Sequence, residues 1–356
     1  MFLNDWQRCP AAFEALAVYV VFSSNSDLEL FREAINCTAP GIQELWTPVV
    51  ARAPKSGWPA GKGYGQQVTA AYKKFFGLAA VMDRRGSEKF GLMLDSELSI
   101  FDFYAPARTG KACHPGGAWS QLLQRLHACE EAKTFNAARV SDNLVVYNFT
   151  SYVMSGKQYD QALLKENFDF VRSGRVCGSE KCALVQEMIS KSLWSWWTDI
   201  PWANLIVAKR MLASAAGTDV KKVTEWQGLV QQLRVPRFEH VAYQMWCVLH
   251  EGFQVRDVTD LAKEARWGSF LEDPQPDSRF AELNPLWAST EAVAAVEMSK
   301  AAAFSQESPP LLIFHADHLQ MRFTFSGRGH KFLWESLLLD LLEKHNRTDF
   351  DNRSIR

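Results

Sequence analysis

The chain has 356 residues, a formal charge of −1 from 39 Lys+Arg against 40 Asp+Glu, and a composition that is 47% hydrophobic and 12% aromatic. A chain this long can bury roughly 75% of its unfolded surface, and its apolar content and low net charge exclude disorder. The balance of charge argues against a basic nucleic-acid binder, which would carry excess Lys and Arg. Thirteen Trp suggest either a very aromatic core or a cleft lined with rings for a flat or sugar-like ligand.

No apolar run approaches the ~18 residues needed to span a bilayer. The longest near the start, Ala15 to Phe22, contains Tyr19, and Met1 to Glu14 carries Asp5, Arg8 and Glu14, unlike a signal peptide. The chain as it stands reads as cytoplasmic, or as lumenal to the secretory pathway if an N-terminal anchor is missing. Seven Cys leave at least one thiol unpaired within the chain. Cys177 and Cys182 are close enough to close a small loop, though ordinary free thiols are the simpler reading. Sequons at Asn36, Asn148, Asn346 and Asn352 matter only in a secretory protein.

The first clear element is the apolar, β-branched run Ala17 to Phe22, a buried strand ending in the polar loop Ser23 to Asp27. Helical spacing follows from Asp27 to Ile35, with an N-cap at Ser26 or Asp27. Ile42 to Val50 reads as a second strand, so strand–helix–strand opens the chain and favours a parallel α/β sheet. Ligands of such sheets bind beyond the carboxyl ends of the strands, which makes the loop at Ser23 a candidate site loop. The Gly- and Pro-rich stretch Ser56 to Gly65 lacks the G-K-[ST] ending of a phosphate loop and does not follow a strand directly. A helix is predicted from about Gln67 to Met82, with Lys73 and Lys74 in its middle.

Phe90 to Leu94 is an apolar run that leads into Asp95, Ser96 and Glu97. Positions i and i+2 of a strand point the same way, so Asp95 and Glu97 can present two carboxylates together. Such a pair suits magnesium or manganese, which can neutralise a diphosphate; a strand-to-turn junction with solvated acids is the plainer alternative. Helices are predicted over Ala118 to Lys133 and Lys181 to about Trp197, with a strand over Leu144 to Tyr152 between them. Trp194, Trp196, Trp197 and Trp202 crowd around Asp199, and Pro201 is placed to start a helix running to Ala213. This is either an acceptor cleft with an oriented acid or a core aromatic cluster with Asp199 as a cap. Phe238 to His250 has helical period, with Tyr243, Trp246 and Cys247 on one apolar face. Pro309 to His318 is another buried strand, delivering His315 and Asp317 to one side; His315 could add a nitrogen ligand to the same cation, and a polar strand end is the plainer alternative. Phe332 to His345 is an amphipathic helix, and the tail beyond it is polar.

Lys74-Phe75-Phe76-Gly77-Leu78 followed by Leu92-Met93-Leu94-Asp95-Ser96-Glu97 resembles the pattern K-x-F-x-L … hhh-D-S-E of sparsely characterised GT-A-type glycosyltransferases. Trp197 to Pro201, Tyr243 and Trp267 to Ser269 resemble later blocks of such proteins. The resemblance spans about residues 15 to 320, and the D-S-E block is its specific part. It implies a single GT-A-like α/β domain with a mostly parallel central sheet flanked by helices and a helical acceptor-side portion. Residues 1–125 would form the nucleotide-sugar half, 126–330 the acceptor half, and 331–356 a C-terminal helix and tail. It further implies a divalent cation, manganese or magnesium, held by Asp95, Glu97 and His315 and bridging the diphosphate of a nucleotide-sugar donor. In that reading Ser23, Lys73, Lys74 and Asp95 face the donor, Asp199 is the candidate base, and a carbohydrate or other hydroxyl is the acceptor. Two rivals are a degenerate GT-A-fold carbohydrate-binding or scaffold protein and a haloacid-dehalogenase-like phosphatase. The latter wants a second Asp followed by Thr or Val, where this chain has Glu97 and Leu98.

Overall fold

The computed structural model describes residues 17–38, 46–61, 64–84, 86, 88–93, 98–101, 127, 130–140, 143–147, 160–172, 180–190, 202–257 and 312–315. It is mixed α/β. Strand β1 (Val18–Phe22) leads at once into helix α1 (Asn25–Thr38), and strand β2 (Trp46–Val50) returns parallel to β1, with Val18 opposite Trp46 and Phe22 opposite Val50. The strand–helix–strand opening is therefore observed. The helix begins earlier than its predicted cap: the Ser24 hydroxyl accepts from the Asp27 backbone N–H at 3.1 Å and satisfies a donor of the first turn. Phe22, Phe31 and Trp46 close this unit, with ring centroids 5.2–5.8 Å apart.

Helix α2 (Tyr64–Asp83) packs on β1 and buries Tyr72, Phe75, Phe76, Ala79 and Met82. Gly77 makes the approach possible: a Cβ there would lie 2.7 Å from Val21 Cγ2. The apolar run predicted over 90–94 is a strand over β3 (Phe90–Leu92), followed by β4 (Leu98–Phe101). Strands β5 (Thr134–Val140) and β6 (Asn143–Tyr147) form an antiparallel pair. Helices α3 (Gln161–Arg172) and α4 (Glu180–Ser190) follow; the predicted continuation of the latter to Trp197 lies outside the described residues.

Strand β7 (Trp202–Asn204) and helix α5 (Leu205–Ala215) correct the prediction that Pro201 starts a helix. Residues 202–204 are claimed by pairing with β3, and Asn204 is the cap, its side chain accepting from the backbone N–H of Ile206 at 2.9 Å and Val207 at 3.4 Å. Helix α6 (Trp226–Gln232) has no side-chain cap from its own Glu225. Asp83, at the end of α2, supplies it from a distance by accepting from the N–H groups of Trp226 at 2.6 Å and Gln227 at 3.1 Å. Helix α7 (Glu239–His250) is the centre of the helical layer: all ten residues from Glu239 to Val248 are buried, and α2, α3, α4 and α5 pack around it. Phe238, predicted as the first helical residue, sits outside the helix with φ 61°. Strands β8 (Gln254–Asp257) and β9 (Leu312–His315) complete the described elements.

A single, mostly parallel central sheet is not what these residues form. β1–β2 and β5–β8 are parallel, whereas β3–β7, β4–β9 and β5–β6 are antiparallel, in four small sheets. The strand predicted over Leu144 to Tyr152 is described as β6, and its last residues lie outside the described set, as do most of the helix predicted over 118–133 and all of the C-terminal helix at 332–345. Cys182 is buried and disulfide-bonded rather than an ordinary thiol; Cys247, buried on α7, is not disulfide-bonded. Among the described residues no helix is long and apolar enough to cross a membrane.

The borrowed cap is a testable joint. Asp83→Ala should leave two N–H groups of α6 unpaired and lower stability by about 1–2 kcal/mol. Urea melts of the two proteins measure it, and an unchanged midpoint would show that the cap carries no weight.

Candidate functional site

Beyond the carboxyl ends of β1 and β2 the chain leaves a shallow pocket of about 270 Å³, lined by Pro59, Gly61, Gly65, Gln66, Thr69, Ala70 and Lys73. Gln66, Thr69 or Ala70, and Lys73 recur at helical spacing along the amino-terminal half of α2, so one stripe of that helix forms a wall. The opposite wall is the Gly- and Pro-rich loop. Ser23, directly after β1, and Lys73 come together, the Lys73 ammonium donating to Ser23 Oγ at 3.4 Å. Both residues were predicted to face a ligand, and they meet because β1 and α2 are packed layers. The wall presents one cation, Lys73, from the middle of α2, and an ammonium suits an anion.

The loop is fixed at its base and open at its tip. Tyr72 Oη donates to the Arg52 carbonyl at 2.7 Å, Gln231 Nε2 donates to the Ala53 carbonyl at 2.9 Å, and the Lys55 N–H donates to the Gln231 carbonyl at 2.9 Å. Arg52 and Glu225 form an ion pair. Gly57 and Gly61 turn the tip with φ of 82° and 102°, which other residues adopt only under strain. Trp58, between them, stands edge-on to Tyr72 with centroids 5.5 Å apart and stays 37% exposed. At the helix start a Cβ on Gly65 would lie 2.6 Å from the Ala60 carbonyl oxygen, so glycine is what lets the loop close onto α2.

Lys74 does something different from its neighbour. Its ammonium lies 3.0 Å from Glu239 Oε1, and that carboxylate is only 2% exposed. The prediction that Lys74 faces the donor is thus met by a side chain turned inward and paired with the first residue of α7. One helical step rotates the direction by about 100°, which separates an outward Lys73 from an inward Lys74.

Asp95, Glu97 and Asp199 lie outside the described residues, and so do Trp194, Trp196 and Trp197. Their chain neighbours are described. Leu92 pairs with Trp202, so Asp95 follows and Asp199 precedes the same strand pair by three residues each. Leu98 pairs with His315 at the end of β9, and Glu97 is bonded to Leu98. Trp202 itself is core, 1% exposed, with its ring 5.7 Å from that of Phe90 and 5.5 Å from that of Tyr243. It is not part of an open acceptor cleft. Tyr243 Oη accepts from the Asn204 N–H at 2.9 Å, and burial drives its phenol well above the usual range. Among the described residues no three His, Cys, Asp or Glu side chains could hold a metal ion. Asp95, Glu97 and His315 offer two carboxylates and an imidazole, a donor set that fits manganese.

The pocket-lining Gln66, Thr69 and Gly65 were missed by the sequence reading. The signal was a polar and small-residue stripe on an otherwise apolar helix, visible once the helix is extended back to Tyr64.

Two outcomes test this division. Lys74→Gln should destabilise the fold by up to about 3–5 kcal/mol by removing the ammonium partner of a buried carboxylate, while Lys73→Gln should leave the denaturation midpoint nearly unchanged. Equal effects in urea melts would contradict the inward and outward assignment. The Tyr72 phenol is pushed up to about 12, mainly by burial and against the pull of Arg52. The folded state then holds this proton more tightly than the unfolded chain at 10.0, so its stabilisation is complete below pH 10 and is lost as pH rises through 12. Over that window wild type should lose more stability than Tyr72→Phe, and parallel pH profiles would sink the assignment.

No family model, curated protein or solved structure matches the chain.

Proposed function

We propose that the chain is a metal-dependent glycosyltransferase that moves a sugar from a nucleoside-diphosphate donor to a hydroxyl acceptor. The observation that carries the reading is the meeting of Ser23 and Lys73 beside a pocket at the carboxyl ends of the parallel strands β1 and β2. Open α/β sheets bind ligands at that edge, and a diphosphate matches the Lys73 cation found there. Support for the cation-binding half comes from register: the strand after Glu97 pairs with the strand that ends at His315, and the strand before Asp95 pairs with the one after Asp199. These pairings join segments from 1–125 and 126–330, in keeping with two halves of one GT-A-like domain.

In this reading Ser23 and Lys73 bind and orient the diphosphate, and Lys73 offsets negative charge as it accumulates on the leaving group. Asp95, Glu97 and His315 would hold manganese, which when bound supplies further charge neutralisation at the diphosphate. Asp199 is the candidate to take the proton from the acceptor hydroxyl. The disulfide at Cys182 supports an oxidising, secretory-pathway compartment over the cytosol.

Manganese with uridine or guanosine diphosphate should raise the melting temperature of the wild-type chain, and Asp95→Ala should abolish the manganese-dependent part. Lys73→Gln should weaken nucleotide binding at every metal concentration. The absence of any shift with any nucleoside diphosphate would falsify the transferase reading. Binding without transfer to any carbohydrate acceptor, or hydrolysis of the donor, would favour the non-catalytic binding protein instead.

A further inference from the structure

We propose that Glu130 is a positioning residue for Asp95 and Asp199, acting through the register of β3 on β7. The inference rests on the transferase reading of those two acids and adds to it a side chain from a third part of the chain.

The β3–β7 ladder runs from Phe90 opposite Asn204 to Leu92 opposite Trp202. Asp95 follows Leu92 and Asp199 precedes Trp202 by three residues each, so the chain reaches both acids from the same end of the ladder. Covalent connectivity keeps each of them within about 11 Å of that end. In so short a ladder few backbone hydrogen bonds resist a slip, and a slip of one residue turns every side chain of the strand to the opposite face. The two acids therefore depend on this register.

At the other end of the ladder the register is clasped by side chains. The Lys89 ammonium, just before β3, lies 2.8 Å from Glu130 Oε2. Asn204, the last residue of β7, donates from Nδ2 to Glu130 Oε1. One carboxylate thus holds both strands. Asn204 is 5% exposed and is held on its other sides too: its N–H donates to Tyr243 Oη on α7, and its Oδ1 caps α5. The segment that carries Glu130 is fixed in turn. The Lys133 N–H donates to the Glu130 carbonyl at 3.3 Å, and the Gln254 N–H donates to the Lys133 carbonyl at 2.9 Å, where β5 and β8 begin to pair. Glu130 therefore ties β3 and β7 to the β5–β8 sheet, while Asn204 ties them to α7. A displacement of about 1 Å at a reacting centre can cost about a hundredfold in rate, so a clasp that holds the register acts on the chemistry without touching substrate.

Asn204→Asp in the full chain tests the idea, because aspartate keeps the cap on α5 but sets a second carboxylate against Glu130. At saturating manganese and donor sugar it should lower kcat about tenfold or more. Uridine diphosphate binding measured without metal, which reports on the Lys73 pocket, should stay within about twofold of wild type. Adding Glu130→Gln to Asn204→Asp restores the hydrogen bond with donor and acceptor exchanged, and should recover most of kcat. Lys89→Gln removes a half-exposed ammonium that the fold tolerates losing, and should lower kcat about threefold or more even if the Asn204 variant fails to fold. If Asn204→Asp lowers the melting temperature but leaves kcat unchanged, Glu130 is merely structural and the proposal is overturned while the transferase reading stands. A double variant that regains the wild-type melting temperature without regaining kcat, or an unchanged kcat in Lys89→Gln, would overturn it equally. If the wild-type chain transfers no sugar from any nucleoside-diphosphate donor, the transferase reading fails and takes the positioning role with it.

Discussion

The carboxylate of Glu239 is buried at the start of α7, whose residues Glu239 to Val248 are all buried, and the arrangement around the pocket follows from how it is compensated. A buried charge without a partner costs several kcal/mol, so an ammonium must be delivered to it. Lys74 supplies it from α2 at 3.0 Å, and the helix amino terminus around Glu239 adds a favourable dipole. That pairing acts together with the buried face of Tyr72, Phe75, Phe76 and Ala79 to orient α2 about its axis. With Lys74 turned in, Gly77 comes to rest against Val21, Asp83 reaches the first turn of α6, and Lys73 is left at the outer edge beside Ser23. The pocket wall is thus a consequence of satisfying the core.

The loop opposite that wall shows how rigidity and freedom are separated over ten residues. Its first half is stitched to α2 and α6 by hydrogen bonds from Tyr72 and Gln231. Its second half has two glycines at positive φ and an exposed indole. The scaffold that holds the base of this loop is the same helix that carries Lys73.

How much of this could be read in advance depended on whether the signal was local. β1, α1, β2, α2 and α7 were legible because each has a clear apolar run or period, and their boundaries moved by only a few residues. Pro201 was misleading, since proline is a good helix starter locally, but the pairing of 202–204 with β3 moved the start to Asn204. The antiparallel partners of β3 and β4 come from more than 100 residues away in the chain, and no local pattern announces them. Trp202 belonged to a run of tryptophans that read equally as core or cleft, and its burial against Phe90 and Tyr243 decided for core.

The sequence by itself determined that the chain can build a large mixed α/β core, from its length and near-neutral charge, and it singled out Ser23, the adjacent Lys73 and Lys74, and the D-S-E segment by type and spacing. It could not distinguish Lys73 from Lys74, because two adjacent lysines on a predicted helix are chemically identical until the helix has a neighbour. Only the tertiary structure broke that symmetry. A buried carboxylate on α7, 165 residues further along the chain, drew one ammonium inward, and the 100° step of the helix left the other at the pocket.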